Sequence, residues 1–185
     1  MRGTKLAARY AKALFDFAGN LNKVDEIFQD INLIDKTFKE NSEFRHIINM
    51  PIVKTDKKIA IIDQIFQSQI SEITSNYLKL ILKKGRETQI DVICSEFVKL
   101  YKKNKNIITL TITSADTLPQ TTIDTLVEKV KEFTQSNIQV ETQINPSIIG
   151  GYKLHFNDYF IDSSIKGSLD KFRKNLIDKS YQVNF

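Results

Sequence analysis

One stretch decides the fold of the second half of this chain: residues 145–176, NPSIIGGYKLHFNDYFIDSSIKGSLDKFRKNL. Pro146 and the pair Gly150 and Gly151 predict a bend, because proline fixes one backbone angle and glycine adopts angles closed to other residues. Apolar and polar side chains then alternate over residues 152–157, which is the period of a strand with one buried face. The stretch therefore predicts a bend that leads into a strand.

A tight turn and a helix complete this stretch. Asn157 and Asp158 suit a two-residue turn, after which residues 159–161 return as a partner strand. The Asp-Ser-Ser sequence at 162–164 supplies side-chain oxygens that can cap a helix. The apolar residues of that helix recur at spacings of four, three and four: Ile165, Leu169, Phe172 and Leu176. We expect a β-hairpin followed by an amphipathic helix.

Six helices are predicted in the first half of the chain. The first, from Thr4 to Gly19 and Asn20, and the fifth, from Ser71 to Gly85, are apolar over more than half of their circumference. The other four are amphipathic helices near residues 22–38, 43–49, 55–66 and 88–104. A wide apolar arc suits a central helix of a bundle, and it equally suits a helix whose second face receives a helix from another protein.

The composition changes at residues 104–106. A threonine-rich alternating strand at 108–113 follows, then a helix introduced by Pro119 and a second alternating strand at 138–144. This order predicts an α+β protein. We expect an all-helical six-helix bundle over residues 1–105, followed by a small C-terminal α/β domain over residues 106–185 with the β-hairpin and the amphipathic helix.

The charge is unevenly distributed along the chain. The net charge is +5, and residues 1–105 carry 19 Lys and Arg against 13 Asp and Glu, whereas residues 106–185 carry 8 against 9. This excess is modest beside the dense basic stripe of a dedicated nucleic-acid-binding protein. No apolar run approaches the roughly 20 residues that span a bilayer. The single cysteine, Cys94, is spaced for a buried helix face and forms no intramolecular disulfide.

No motif for catalysis, cofactor binding or metal binding is recognisable. The sequence contains no Walker loop, dinucleotide fingerprint, zinc-ligand pattern or nucleophile elbow. The two histidines, His46 and His155, fall at helix and strand positions that face solvent. We expect no catalytic, cofactor-binding or metal-binding residues, and therefore a protein that is not an enzyme.

The two ends of the chain resemble a known family. NPSIIGGYKLHF followed by IDSSIKGSLDKF is similar to the C-terminal signature of the delta subunit of F-type ATP synthases, the family of the mitochondrial oligomycin-sensitivity-conferring protein. The residues of that region to which we assign an architectural role are Gly150, Gly151, Asp162, Ser164, Leu169 and Phe172. Ser163 stands where many relatives carry glycine. The N-terminal ARYAKALF, residues 8–15, is also similar to the opening of delta subunits.

The resemblance implies a non-catalytic peripheral-stalk, or stator, subunit of a proton-translocating ATP synthase. In this family the N-terminal domain holds the N-terminal helix of an alpha subunit of the catalytic head in a groove between the first and fifth helices. The C-terminal domain holds the ends of the b-type stalk subunits. Such a protein resists the torque of the rotating shaft, so that rotation is coupled to ATP synthesis. The resemblance implies a location at the cytoplasmic face of the bacterial cell membrane, reached only through the complex.

Residues for the partner groove are assigned on the two wide apolar helices. Aromatic side chains anchor a visiting helix, and a small alanine lets it approach closely. The candidates are Tyr10, Ala13, Leu14, Phe17, Tyr77, Leu80 and Ile81.

Two alternative functions are also compatible with the first half of the chain. RNA-binding antitermination-type helical proteins open with a similar Ala- and Arg-containing helix and carry surplus positive charge, although the missing dense Arg patch and the second domain argue against this class. A general scaffold for amphipathic helices differs from the stator interpretation only in the identity of its partner.

Overall fold

The chain forms two compact units, Met1–Asn104 and Lys105–Phe185. The structure is a computed structural model that describes residues 2–67 and 69–180. The boundary between the units falls at the change of composition, where Asn106 adopts a left-handed backbone with φ of 53°. The predicted α+β class is confirmed, because one unit is all-helical and the other combines helices with a sheet.

The first unit is built from six α-helices in the part of it that the structure describes. They are α1 (Arg2–Asn20), α2 (Val24–Glu40), α3 (Ser42–Asn49), α4 (Thr55–Phe66), α5 (Glu72–Lys83) and α6 (Ile90–Asn104), with a 3-10 turn at Glu87–Gln89.

The ends of these helices lie within about two residues of the predicted positions. The first helix begins at Arg2, two residues before Thr4. It ends at Asn20 as expected, and a turn follows in which the Asn22 amide donates to the Gly19 carbonyl and Asn22 is left-handed, with φ of 54°. Helix α4 has the predicted bounds, and Lys54 precedes its first residue, Thr55. Ser71 does cap α5, since its Oγ accepts a hydrogen bond from the Thr74 amide at 3.3 Å.

The core of the first unit lies between α1, α6 and their neighbours. Three alanines of α1, Ala7, Ala11 and Ala18, are fully buried, which allows a close approach of the packed helices. Phe97 of α6 is also fully buried, and its ring lies 5.8 Å from that of Phe15. Burying each large apolar side chain contributes about 1.5–3 kcal/mol, so this core is the main stabilising term of the unit.

The second unit is a four-stranded sheet with one helix on its core face. Its elements are β1 (Ile107–Ser114), α7 (Gln120–Thr134), β2 (Asn137–Ile144), a 3-10 turn (Pro146–Ile148), β3 (Gly151–Phe156), β4 (Tyr159–Ser164) and α8 (Ile165–Ser180). The strand order is β2-β1-β3-β4. β1 and β2 pair in parallel, which is possible because the helix α7 carries the chain back between them. The pairs β1–β3 and β3–β4 are antiparallel.

The predicted hairpin is confirmed. Phe156 pairs with Tyr159, so Asn157 and Asp158 form the two-residue turn, and Asn157 has the positive φ, 48°, that such a turn requires. The buried side chains of the sheet pack against α7 to form a second core: Leu110, Ile112, Leu154, Phe156, Leu126 and Val130. Helix α8 leaves the end of β4 and contributes none of these buried residues.

Candidate functional site

An apolar groove lies between α1 and α5. It has a volume of about 500 Å³. Its lining residues come in equal numbers from the two helices: Tyr10, Ala13, Leu14, Phe17, Ile73, Asn76, Tyr77 and Leu80. Leu14, which is 3% exposed, forms part of the floor, while Phe17 and Leu80 are 52% and 46% exposed. The surface is therefore an open depression with an apolar floor and apolar rims.

Six of the seven residues assigned to the groove from the sequence line this depression, and Ile81 does not. Ile81 is 1% exposed and packs in the core of the unit. A helix turns by about 100° per residue, so Ile81 faces inward where Leu80 faces the groove. Ile73 and Asn76 line the groove without having been assigned to it. The available signal was a spacing of four residues, from Ile73 to Tyr77 and from Asn76 to Leu80, which places each pair on one helix face.

The groove continues toward a basic end at the start of α1. A second depression of about 500 Å³ shares Tyr10 and Ala13 with it and is lined further by Lys5, Leu6 and Arg9. Lys5 and Arg9 are exposed and lie one helical turn apart. Neither forms an ion pair with another residue that the structure describes. This end of the groove is therefore electropositive.

A buried carboxylate fixes the wall of the groove that α5 provides. Asp30 of α2 is 7% exposed and accepts hydrogen bonds from the Ser71 amide at 2.9 Å, the Ser71 hydroxyl at 2.6 Å and the Thr74 hydroxyl at 2.7 Å. These donors lie at the N-terminus of α5, where the helix dipole favours a negative charge. Asp30 thus ties α5 to α2, a role that no local sequence pattern indicates.

Two ionisable groups of the first unit, Tyr77 in the groove lining and Cys94 in the core, are kept neutral by burial. Burial raises the pKa of the Tyr77 hydroxyl, which has no hydrogen-bond partner among the described residues. Burial also raises the pKa of Cys94, which is 2% exposed, as expected from its position in α6. Because the thiolate is the reactive form of cysteine, Cys94 is a packing residue.

In the second unit, a hydrogen-bonded cluster begins α8. The Gly167 amide donates to Ser164 Oγ at 3.0 Å, and Ser164 donates its hydroxyl at 2.5 Å and its amide at 2.9 Å to Asp162 Oδ1. Lys153 lies 3.0 Å from the other carboxylate oxygen. The two hydrogen bonds from Ser164, together with Lys153, lower the pKa of Asp162 to about 2. The cluster is a helix cap.

The glycines around this cap are required by close approaches. Gly151 has a φ of +74°, and a Cβ added to it would collide with the Ser163 carbonyl oxygen. A Cβ on Gly150 would meet the side-chain end of Ile165 at 2.7 Å, and one on Gly167 would meet the Asp162 carboxylate. The double glycine and Asp162 therefore belong to one joint between the hairpin and α8. Gly167 is a member of that joint that sequence reasoning missed.

The apolar stripe of α8 is open to solvent. Its members are about half exposed or more: Ile165 at 49%, Leu169 at 57%, Phe172 at 63% and Leu176 at 54%. Two of the assigned architectural residues, Leu169 and Phe172, therefore do not pack in the core. Their exposure leaves an apolar face unpaired.

Neither a metal centre nor a membrane span is found among the described residues. No three His, Cys, Asp or Glu side chains in residues 2–67 and 69–180 are grouped as metal ligands would be. Within the same ranges, each helix is too short or too polar to cross a bilayer.

These features define a class of protein: a helical unit with an open apolar groove, joined to a small α+β unit with an open helix face. The comparisons with known proteins then give the family. The family model for the ATP synthase delta (OSCP) subunit matches residues 6–176. An ATP synthase subunit delta from Moorella thermoacetica is 31% identical over 176 residues, which cover 95% of this chain and 98% of the relative. One from Rickettsia bellii is 32% identical over 172 residues, covering 92% and 91%.

The fold is also shared with a solved structure. A chain in the cryo-EM structure of the Toxoplasma gondii mitochondrial ATP synthase hexamer matches with a TM-score of 0.75 and 19% identity, over 93% of this chain and 97% of that chain. At this identity the likeness concerns the fold alone.

The chain belongs to the ATP synthase delta (OSCP) subunit family. The resemblance read from its two ends is confirmed. As a member of this family it is a non-catalytic stator subunit of ATP synthase, which associates with the catalytic head and the stalk. The family match gives no support to the RNA-binding alternative.

Proposed function

We propose that the groove between α1 and α5 binds the N-terminal helix of an alpha subunit, and that Lys105–Phe185 holds the ends of the b-type stalk subunits. The chain then works at the cytoplasmic face of the bacterial cell membrane, which it reaches only through the complex. The single observation that carries the proposal is the groove, with rims that remain half exposed at Phe17 and Leu80. An amphipathic helix laid into an apolar groove is an established mode of recognition.

The groove supports a role as a static link. Its lining residues sit on two helices whose inner faces are locked into the core by Leu14, Leu78 and Ile81. A rigid, preformed site loses little conformational entropy on binding, so more of the contact energy remains as affinity. The head must not turn with the shaft, and a bound helix held in this way transmits torque from the head to the stalk.

The residues proposed to contact the alpha helix are Tyr10, Ala13, Leu14, Phe17, Tyr77 and Leu80, with Ile73 and Asn76 added. Ile81 is removed from this set because its side chain lies in the core. Lys5 and Arg9 at the basic end suit a partner helix that carries acidic residues there.

The test compares two leucines of equal exposure. Leu80→Ala removes a groove residue that is 46% exposed, and Leu21→Ala removes one outside the groove that is 45% exposed. Since both side chains are half solvated, both variants should fold. We expect Leu80→Ala to weaken binding of an alpha N-terminal peptide about tenfold, near 1.4 kcal/mol, as measured by calorimetry. Leu21→Ala should bind like the wild type.

Tyr10→Asp places a charge in the groove and should weaken binding further, with unfolding monitored by circular dichroism. Equal affinities of the Leu80→Ala and Leu21→Ala variants would reject the groove as the alpha-subunit site. Failure of the wild type to bind the peptide would reject the alpha-subunit half of the proposal.

A further inference from the structure

The exposed stripe of α8 has the spacing of a coiled-coil seam. Ile165, Leu169, Phe172 and Leu176 recur at four, three and four residues, which is the alternation of d and a positions in a heptad repeat. The stripe is about 17 Å long at 1.5 Å per residue. It is also narrow, since at 100° per residue its four members fall within about 60° of the helix circumference. A helix packed on a sheet or lying in a lipid surface presents a wider apolar face.

The flank of this stripe is basic. With the stripe at d and a, Lys166 and Arg173 both fall at e positions, seven residues apart on one side of the seam. Both side chains are exposed, and neither forms an ion pair with another described residue. Ser168 lies at the g position on the other side. Charges at e and g select the partner helix in coiled coils.

The joint described above holds the start of α8 in place. The Ile165 amide donates to the Gly150 carbonyl at 3.0 Å, and Ser164 caps the first turn through the Gly167 amide. The seam is thus presented by a helix with an anchored N-terminal end. Such preorganisation lowers the entropic cost of pairing with a second helix.

We infer that α8 pairs through this seam with one helix of the stalk, and that the partner helix carries its own apolar heptad stripe flanked by acidic residues facing Lys166 and Arg173. This inference rests on the proposed attachment of the second unit to the b-type stalk subunits. A second copy of this chain is a poor occupant, because it offers the two cations only further cations or Ser168. Between residues 165 and 176 the helix carries four basic residues and one acidic residue, so self-pairing is repulsive.

The first measurement uses the full chain and two designed three-heptad peptides with the same leucine stripe, one with Glu and one with Lys at the e and g positions. The wild type should bind the Glu peptide about tenfold more tightly than the Lys peptide. The double variant Lys166→Glu/Arg173→Glu should reverse this preference. The control, Lys171→Glu/Lys174→Glu, makes the same change of charge at outer c and f positions and should keep the wild-type preference.

The second measurement titrates the same variants with the cytoplasmic segment of the b-type stalk subunit. The wild type should bind, Leu169→Ala/Phe172→Ala should lose about tenfold in affinity, and so should Lys166→Glu/Arg173→Glu. Each variant is checked for unchanged folding by circular dichroism, which we expect because all four side chains are exposed.

The outcomes separate the two proposals. If the wild type binds the Glu peptide selectively but not the stalk segment, the seam is upheld and the stalk attachment is rejected. If it binds the stalk segment equally well with and without the e-position charges, the stalk attachment is upheld and the acidic-helix inference is rejected. Sedimentation with anionic vesicles that depends on Leu169 and Phe172, without any preference between the peptides, would assign the stripe to a lipid surface and overturn the inference.

Discussion

Gly151 shows how a single residue fixes the joint before α8. Its positive φ is strained for any residue with a Cβ, at a cost of about 1–2 kcal/mol, and the added carbon would also strike the Ser163 carbonyl on the neighbouring strand. We expect Gly151→Ala to lower the free energy of unfolding by about 2–4 kcal/mol, measured by urea denaturation. The contact would force the paired backbones apart, which a side-chain rotation cannot relieve.

Gly150→Ala is the matched control for this prediction. Its added carbon meets only the flexible end of Ile165, which can rotate away. The loss of stability should therefore be clearly smaller than for Gly151→Ala. Equal losses for the two variants would show that the positive φ and the Ser163 contact are not what demands glycine at position 151.

Asp162 gives the joint a dependence on pH. Its hydrogen bonds from Ser164 and its ion pair with Lys153 lower its pKa to about 2, below the ordinary value of a carboxyl group. A lowered pKa in the folded state means that this stabilisation is complete above about pH 4 and is lost as the pH falls from about 4 to about 2. The isosteric Asp162→Asn variant keeps an acceptor oxygen but has no such titration.

We therefore expect the wild type to be more heat-stable than Asp162→Asn at pH 7, with the difference shrinking toward zero as the pH approaches 2. Thermal unfolding followed by circular dichroism at pH 7, 4 and 2.5 measures it. Other carboxyl groups titrate in the same range, but they are common to both proteins and cancel in the comparison. A difference that stays constant over this range would contradict the assignment.

At the scale of helices, Asp30 holds α5 where the groove needs it. The carboxylate accepts three hydrogen bonds from the first turn of α5 and its cap. Asp30→Ala would remove the charged acceptor of all three hydrogen bonds from a largely buried site, so we expect a loss of about 2–4 kcal/mol in the free energy of unfolding. Asp30→Asn, which keeps one acceptor oxygen, should lose less. Urea denaturation measures both losses, and equal values would indicate that the carboxylate has no special role.

The elements were largely predictable from the sequence, whereas their faces were not. Alternation identified the strands, and Asn157 identified the turn, because these signals are local. The rotation of α5 about its own axis could not be predicted from a local pattern. Leu80 and Ile81 are adjacent apolar residues in a wide apolar arc, and only the packing of neighbouring helices decides that Ile81 is buried. The bond from Ser71 to Asp30 joins residues 41 positions apart, which no local pattern reveals.

The exposure of the apolar stripe of α8 could not be predicted either, because packing with distant elements decides it. Its apolar spacing predicts an amphipathic helix whether the stripe meets the protein's own core or a partner. In the structure, α7 covers the core face of the sheet, and the stripe of α8 is left half exposed. Leu169 and Phe172 therefore lie on the surface, although they belong to the C-terminal signature.

At the scale of the whole molecule, the two units have separate cores. The residues of one core all lie before residue 105, and those of the other all lie after it. A unit with its own core folds alone as a rule. We expect a fragment of residues 1–104 to fold cooperatively and to bind the alpha peptide with an affinity within about twofold of that of the full chain. Circular dichroism and calorimetry test this, and an unfolded fragment would show that the first unit depends on the second.

The burial of Cys94 also makes this chain convenient for spectroscopy. Because its only native thiol is enclosed and stays protonated, a cysteine introduced on the surface can be labelled with a maleimide dye without first removing Cys94. In the assembled ATP synthase, one dye at an outer position of α8 and another on the alpha subunit would report by energy transfer how far the stator stretches during rotation. The elasticity of the link between head and stalk is thus open to direct observation.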